Sequence, residues 1–362
     1  MKVLVAMSGG VDSSVAAYLL KQQGYQVIGA TMQVWDYSQC EVTEGQGTCC
    51  SSLDVDDARS VADAIDIPFY VINCEQEFKQ KVIAPFVQSY LKGETPLPCS
   101  HCNTFLKFDY LLQKMQELRC DYLATGHYAQ IRWLDDQPQL MLSQDDWKDQ
   151  SYFLFQLPPS ILPKLLFPVG HLNKKQVRQI AENVGLPVAR KKDSTGICFV
   201  GHNRYASVVE SLIQPAEVYQ QRGALRRYPT GEIMGYHSGI HHFTIGQSRG
   251  LGLTYHQKLF VIRIDGQTKD VWLGQESDLY RTNMILRDVH WLVTKPIWHE
   301  SIRVKIRSTH PGAKAKLVPK LNDNTVECIF AEPQRAITPG QAAVFYLDQQ
   351  LLGGAWIAAE CL

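Results

Sequence analysis

Between an apolar run, Lys2 to Ala6, and a segment with helical spacing lies Ser8-Gly9-Gly10-Val11-Asp12-Ser13-Ser14. Two glycines let successive amide N–H groups converge on an anion, and the serines add hydroxyl donors. With a strand before the loop and a helix after it, the helix N-terminus adds positive partial charge at the same point. The ligand that suits such a loop is a phosphate. The pattern is neither G-x-x-x-x-G-K-[ST] nor the G-x-G of a dinucleotide fold. The bland alternative is a capping loop with incidental glycines, but the S-G-G-x-D-S order at a strand–helix junction favours phosphate.

Ten cysteines are the second chemical resource. The opening apolar run is too short for a leader, and no stretch reaches the ~20 apolar residues of a membrane span. The expectation is a cytoplasmic chain with reduced thiols, not a disulfide framework. Cysteines that bind metal or do chemistry are therefore worth seeking. For Cys49, Cys50, Cys74, Cys120, Cys328 and Cys361 a packing or loop role is favoured.

The elements that must position these residues alternate. Strands are expected at Lys2 to Ala6, Val27 to Thr31, Phe69 to Ile72 and Tyr122 to Ala124. Helices are expected at Asp12 to Gln23, Asp54 to Ile65, Asn103 to Leu118 and Lys174 to Val184, with a polar loop from Asp36 to Ser52. Such alternation implies an α/β fold, a parallel sheet with helices on both faces. After about residue 255 the pattern changes to short strands, "KLFVIRI", "DVWLG", "SIRVKIRS", "TVECIF" and "QAAVFYL", which read as a small antiparallel β-barrel. The expected division is 1–202 for the catalytic domain, 203–275 for a small connecting domain and 276–362 for the barrel. No repeat or low-complexity segment stands out.

The chain of 362 residues balances 36 basic against 36 acidic residues, unevenly. Met1 to Cys120 holds 9 Lys and Arg against 14 Asp and Glu, whereas Lys164 to Arg227 holds 11 against 4. A basic middle segment points to a polyanionic partner, with a solvated face as the competing explanation.

The Ser8–Ser14 loop is similar to the pyrophosphate-binding loop of the ATP pyrophosphatases, which share an adenine nucleotide alpha hydrolase-like fold and cleave ATP between the α and β phosphates. The loop alone does not choose among argininosuccinate, GMP, NAD and asparagine synthetases and tRNA thiolation enzymes. Two further stretches choose: "TPLPCSHCNTFLKF" from Thr95 and "KKDSTGICFVG" from Lys191. With "ATGHYAQ", "KDQSYFLF" and "TIGQSRGLG", they make the chain resemble the tRNA-specific 2-thiouridylases nearly end to end.

That resemblance implies a transferase that adenylates O2 of the wobble uridine and replaces it with sulfur from a cysteine persulfide. It implies Cys198 as the persulfide carrier and Cys102 as the nucleophile that resolves it, the two ending as a disulfide. It implies ATP, with Mg²⁺, held by Ala6, Met7, Ser8, Gly9, Gly10, Val11, Asp12 and Ser13, with Met32 at adenine and Gly126 where backbone lies close to ATP. tRNA contacts are expected at His127, Lys148, Asp149, Gln150, Arg307, Ser308 and Gln341. The partners implied are tRNA, those for Lys, Glu and Gln expected, and a sulfur donor, either a cysteine desulfurase or a relay protein. Adenylation turns a poor leaving oxide into a stable phosphate ester, and thiolate sulfur is a strong nucleophile near neutral pH. A loop nucleotide is the cheapest to extrude from its stack.

One position departs from the family. Where its members usually carry Asn-Pro-Asp, this chain has Leu97-Pro98-Cys99. The acid/base role of that aspartate does not carry over to a thiol. The change creates Cys99-x-x-Cys102, with Cys198 as a third candidate thiolate. Three thiolates with one open position suit a [4Fe-4S] cluster that takes up sulfide. His202 allows a Cys₃His zinc site instead. The persulfide relay ranks first, the cluster second, zinc third. An amidotransferase-type ligase is disfavoured because no glutaminase motif is apparent. A tRNA-binding module that only senses ATP is disfavoured by the cysteine pair.

Overall fold

The computed structural model describes residues 1–34, 52–193, 196–200, 205–253, 257–298, 301–320 and 325–359. Most of the polar loop from Asp36, with Cys49 and Cys50, lies outside the described residues, as do Ser194, Thr195, His202 and Cys361. The chain divides into two compact units. One comprises Met1–Val82, Pro98–His202 and Gln349–Leu352; the other comprises Ile83–Leu97, Asn203–Asp348 and Gly353–Leu362.

The first unit runs β1 (Lys2–Ala6), α1 (Val11–Gln22), β2 (Gln26–Gln33), α2 (Ser52–Ala64), β3 (Phe69–Asn73) and α3 (Glu75–Phe78). After α4 (Ala84–Leu91), which belongs to the second unit, come α5 (Pro98–His101), α6 (Leu111–Glu117), β4 (Tyr122–Thr125), β5 (Gln130–Leu134), β6 (Gln137–Met141), β7 (Leu165–Leu166) and α7 (Lys174–Val184). Val3, Leu4 and Val5 are wholly buried, as in a parallel strand covered on both faces. Val15, Ala16 and Ala17 of α1 and Val177 and Ala181 of α7 pack in the same core. The helix expected over Asn103 to Leu118 is two pieces, a π-helical stretch Cys102–Tyr110 and then α6.

The sheet order is β3-β2-β1-β4-β7, and every pair is parallel. The chain moves outward from β1 to β3 and then returns to β4 on the other side of β1. The loops after β1 and β4 therefore flank the point where strand order reverses, the place where open α/β sheets bind ligands. Ala6 and Thr125, the last residues of these two strands, are register partners.

The second unit also contains α8 (Tyr205–Ser211) and α9 (Pro215–Tyr219), followed by β8 (Gly223–Arg227), β9 (Ile233–His237), β10 (Phe260–Ile264) and β11 (Val271–Gly274). These four strands form a separate sheet, β10-β11-β8-β9, in which β11 and β8 run parallel. This corrects one expectation: "KLFVIRI" and "DVWLG" do not belong to the terminal barrel. Their apolar residues Phe260, Val261, Ile262, Val271 and Leu273 share a core with Leu225, Ile240 and Phe243. Strand alternation reports a buried face, not which sheet buries it.

The barrel follows, built from β12 (Tyr280–Trp291), β13 (Ile302–Lys305), β14 (Ala313–Pro319), β15 (Val326–Arg335), β16 (Ala342–Leu347) and β17 (Gln350–Ile357). Its order is β12-β15-β14-β13-β16-β17, and antiparallel pairing of β12 with β17 closes it. Among these six strands closure leaves no free edge. Among the described residues no helix is long and apolar enough to cross a membrane.

Candidate active site

The loop Ser8–Gly10 joins β1 to α1 at the carboxyl edge of the sheet. Gly10 caps α1 and supplies no side-chain cap, so the first amide groups of the helix stay available to an anion. Gly9 has φ +68, and a Cβ there would strike the Asp54 carbonyl oxygen. Both the backbone angle and the close approach require glycine. Ser13 Oγ accepts from Ser8 N at 3.1 Å, and Ser14 Oγ donates to the Gly10 carbonyl at 2.8 Å. These bonds fix the loop from inside.

Gly126 follows β4. A Cβ on it would lie 2.5 Å from Ser13 N. The two loops therefore touch through backbone, and any larger residue at 126 would push into the anion loop. Met32, near the end of β2, is buried.

Around this loop sits a charge network that the sequence alone did not disclose. Lys174 Nζ lies 2.7 and 2.8 Å from the two oxygens of Asp12, and Tyr128 OH donates to Asp12 Oδ1 at 2.8 Å. Lys174 also reaches Asp193 at 2.8 Å, and Asp193 takes Lys148 and Arg178 as well, both at 2.7 Å. Burial alone would push the Asp193 carboxyl up, but hydrogen bonds from Lys148 and Lys174 overcome it and hold the pKa down at about 2. On the other flank Lys191 donates to the Gly9 carbonyl at 3.0 Å and pairs with Asp54 and Asp57. Burial works against the Lys191 charge, and those two carboxylates outweigh it and raise its pKa.

Residues 1–202 match the family described as the tRNA methyl transferase HUP domain, 215–275 its PRC-barrel domain, and 281–357 the aminomethyltransferase beta-barrel domain. A protein of Clostridium botulinum (strain Alaska E43 / Type E3) named tRNA-specific 2-thiouridylase MnmA is 46% identical, covering 99% of this chain and 98% of that protein. Proteins of the same name from Clostridium beijerinckii and Geobacter metallireducens are 47% and 43% identical, covering 98% and 99% of this chain and 98% and 97% of theirs. The chain belongs to the tRNA-specific 2-thiouridylase family.

The cysteines that the sequence singles out, Cys99, Cys102 and Cys198, are all in the first unit. Cys99 is exposed, and Cys102 and Cys198 are half-buried. Cys102 opens the π-helical stretch, a form that recurs at functional sites. Its surroundings are pinned by the "KDQSYFLF" segment and the residue after it: Asn103 Nδ2 donates to the Phe153 carbonyl at 3.2 Å, and Ser100 Oγ to Gln156 Oε1 at 3.4 Å. Phe199, beside Cys198, meets Phe78 of α3 edge-on at 5.7 Å. Cys74, at the start of α3, is buried, and its thiol is pushed up to about 12, first by burial and then by Glu77 and Cys102. Cys102 and the Cys198 segment thus border the same short helix. Cys74, like Cys120 and Cys328, is a buried thiol.

The residues expected to touch tRNA have varied surroundings. His127 is buried, its Nδ1 2.7 Å from Thr125 Oγ1, and burial with nearby Lys107 drives its pKa well below the usual value, so the ring is neutral. Asp149 accepts from Ser143 N and from Ser151 Oγ, and Gln150 Oε1 accepts from Tyr128 N at 3.0 Å. Lys148 holds Asp193, while the adjacent Trp147 is 97% exposed. Asp145 fixes that loop, its Oδ1 accepting from Trp147 N and its Oδ2 from Lys174 N. In the second unit Arg307 donates to the Arg335 carbonyl at 3.2 Å, Ser308 is exposed, and Gln341 Nε2 donates to the Thr95 and Pro96 carbonyls at 3.1 and 3.2 Å.

Proposed function

We propose that this chain catalyses ATP-dependent 2-thiolation of the wobble uridine of tRNA in the cytoplasm. Supporting this are the family, the anion loop at the sheet switch point, and two half-buried cysteines, Cys102 and Cys198, whose segments border one helix. ATP binds with its phosphates over Ser8 to Ser13 and its adenine near Met32. Uridine O2 attacks the α-phosphorus, the α–β bond breaks, and pyrophosphate leaves. Helix N-terminal amides and serine hydroxyls stabilise the departing charge. Mg²⁺ accompanies the phosphates; both Asp12 oxygens are engaged by Lys174, and Tyr128 also donates to Oδ1, so Asp12 acts in positioning the loop.

The outer sulfur of a Cys198 persulfide then attacks C2, and AMP departs with the former O2. Cys102 attacks the Cys198 sulfur, freeing the thiolated base and leaving a Cys102–Cys198 disulfide that a two-electron reductant reopens. A cysteine desulfurase or a relay protein reloads Cys198. The segments 203–275 and 276–362 serve tRNA binding, with Arg307, Ser308 and Gln341 among the contacts or their supports. Trp147 offers an exposed stacking face for a tRNA base, on a loop tied down through Asp145.

A second reading keeps the reaction and changes the sulfur carrier. Cys99 and Cys102 lie three apart across α5 and the following turn, a spacing that places both on one helical face. With Cys198 they would hold a [4Fe-4S] cluster, which would supply bound sulfide. Iron and sulfide analysis of anaerobically purified protein separates the two: iron-free, fully active protein ends the cluster reading. The main proposal is tested by pyrophosphate release that depends on tRNA.

A further inference from the structure

Helix α8 and the turn Ile240–His242 both belong to the second unit and are joined through one carboxylate. His241 Nε2 lies 3.0 Å and His242 Nε2 3.1 Å from Glu210 Oε1. The potential ligand atoms of the three residues all lie within 4.8 Å of one another. The two rings are tilted by 36° with centroids 4.4 Å apart. His241 is wholly buried, and His242 and Glu210 are about one-third exposed. The other ring nitrogen of His241, Nδ1, is buried without a hydrogen-bond partner among the described residues. The polar capacity of this interior ring is therefore spent at Nε2, towards Glu210.

Two imidazoles and a carboxylate are a donor set typical of zinc-class cations, leaving a fourth position for water. A tetrahedral ion with bonds of about 2.0–2.1 Å has ligand–ligand edges of roughly 3.3 Å. The 3.0 and 3.1 Å separations are close to that edge. The competing explanation is two imidazole N–H groups donating to one carboxylate, with no ion.

We propose that Glu210, His241 and His242 bind one divalent cation of the zinc class, fastening α8 to the 240–242 turn. The proposal uses none of the residues assigned to the thiolation steps, so it can fail without affecting that reading. The test uses the full chain carrying Cys99→Ser, Cys102→Ser and Cys198→Ser, which removes the three thiolates considered for a metal cluster. Chelator-stripped protein is titrated with zinc chloride, then with cobalt(II), whose visible absorption reports tetrahedral coordination. The expected result is about one equivalent bound with a higher melting temperature. Affinity should fall by more than about tenfold in both His242→Ala and Glu210→Gln, since even an outer partner of a ligand is worth that much. Circular dichroism checks that both variants fold, and Glu210→Gln, which keeps an acceptor, covers the case in which His242→Ala does not. Absence of stoichiometric binding, or binding unchanged in a folded variant, overturns the proposal.

Discussion

The ammonium of Lys174 lies 2.7 and 2.8 Å from the two carboxylate oxygens of Asp12, 162 residues away in sequence, and 2.8 Å from Asp193. One cation thus couples the acid of the anion loop to the residue five positions before Cys198. Removing it leaves two half-buried carboxylates with one fewer partner each. Lys174→Met should lower tRNA-dependent pyrophosphate release about a hundredfold and cost about 1–3 kcal/mol of stability. Lys174→Arg should retain more of both. Steady-state pyrophosphate release and chemical denaturation measure the two effects; wild-type release from the Met variant would remove Lys174 from the site.

Asp193 carries a pH signature. Its carboxyl sits at about 2 in the fold against an ordinary 3.8, so it binds its proton less readily folded than unfolded. Its stabilising contribution is therefore complete above about pH 4 and disappears as pH falls through about 2. Between those values wild-type protein should lose stability faster than Asp193→Asn, which lacks the charge at every pH. Melting curves at stepped pH compare them, and parallel curves would mean that the three cations do not hold the charged form.

The roles proposed for the cysteines separate activation from sulfur transfer. Cys198→Ser should abolish thiolation while tRNA-dependent pyrophosphate release continues, because adenylation does not use the thiol. Cys102→Ser should leave Cys198 able to accept labelled sulfur yet unable to turn over, a loss of at least about a thousandfold. Loss of pyrophosphate release in a folded Cys198→Ser protein would contradict this division of labour.

Trp147 is nearly fully exposed, yet the loop that carries it is tied down through Asp145. Stacking of a nucleic-acid base on an aromatic ring is worth about 1–3 kcal/mol. Trp147→Ala should weaken tRNA binding roughly five- to 150-fold with little change in melting temperature, and Trp147→Phe should recover much of it. Filter binding at fixed salt reads the effect; equal affinity in all three proteins removes Trp147 from the tRNA surface.

The anion loop was legible because everything that makes it one is local: an apolar strand, Ser8 to Ser14, and a helix beginning at once. The parallel sheet around β1 followed from the alternation of elements, but its strand order did not. What sequence could not give was partners distant along the chain. Lys174 and Arg178 read as parts of a basic segment suited to a polyanion, but folding commits them to Asp12 and Asp193. Similarly, "KLFVIRI" carries a strand's alternation without naming its sheet, and its parallel-containing sheet was missed. Glu210 and His241 are 31 residues apart, a spacing outside any short metal motif. Trp147 gave no signal in sequence, since only exposure distinguishes a stacking face from a core residue.

The central claim is that ATP primes uridine O2 to leave so that sulfur held on Cys198 replaces it. Mass spectrometry of nucleosides from unmodified tRNA, incubated with this protein, ATP and a persulfide donor, tests it most directly. The expected product is 2-thiouridine at the wobble position, dependent on ATP and absent with Cys198→Ser. Unthiolated wobble uridine after incubation with folded protein that carries persulfide and releases pyrophosphate would contradict it.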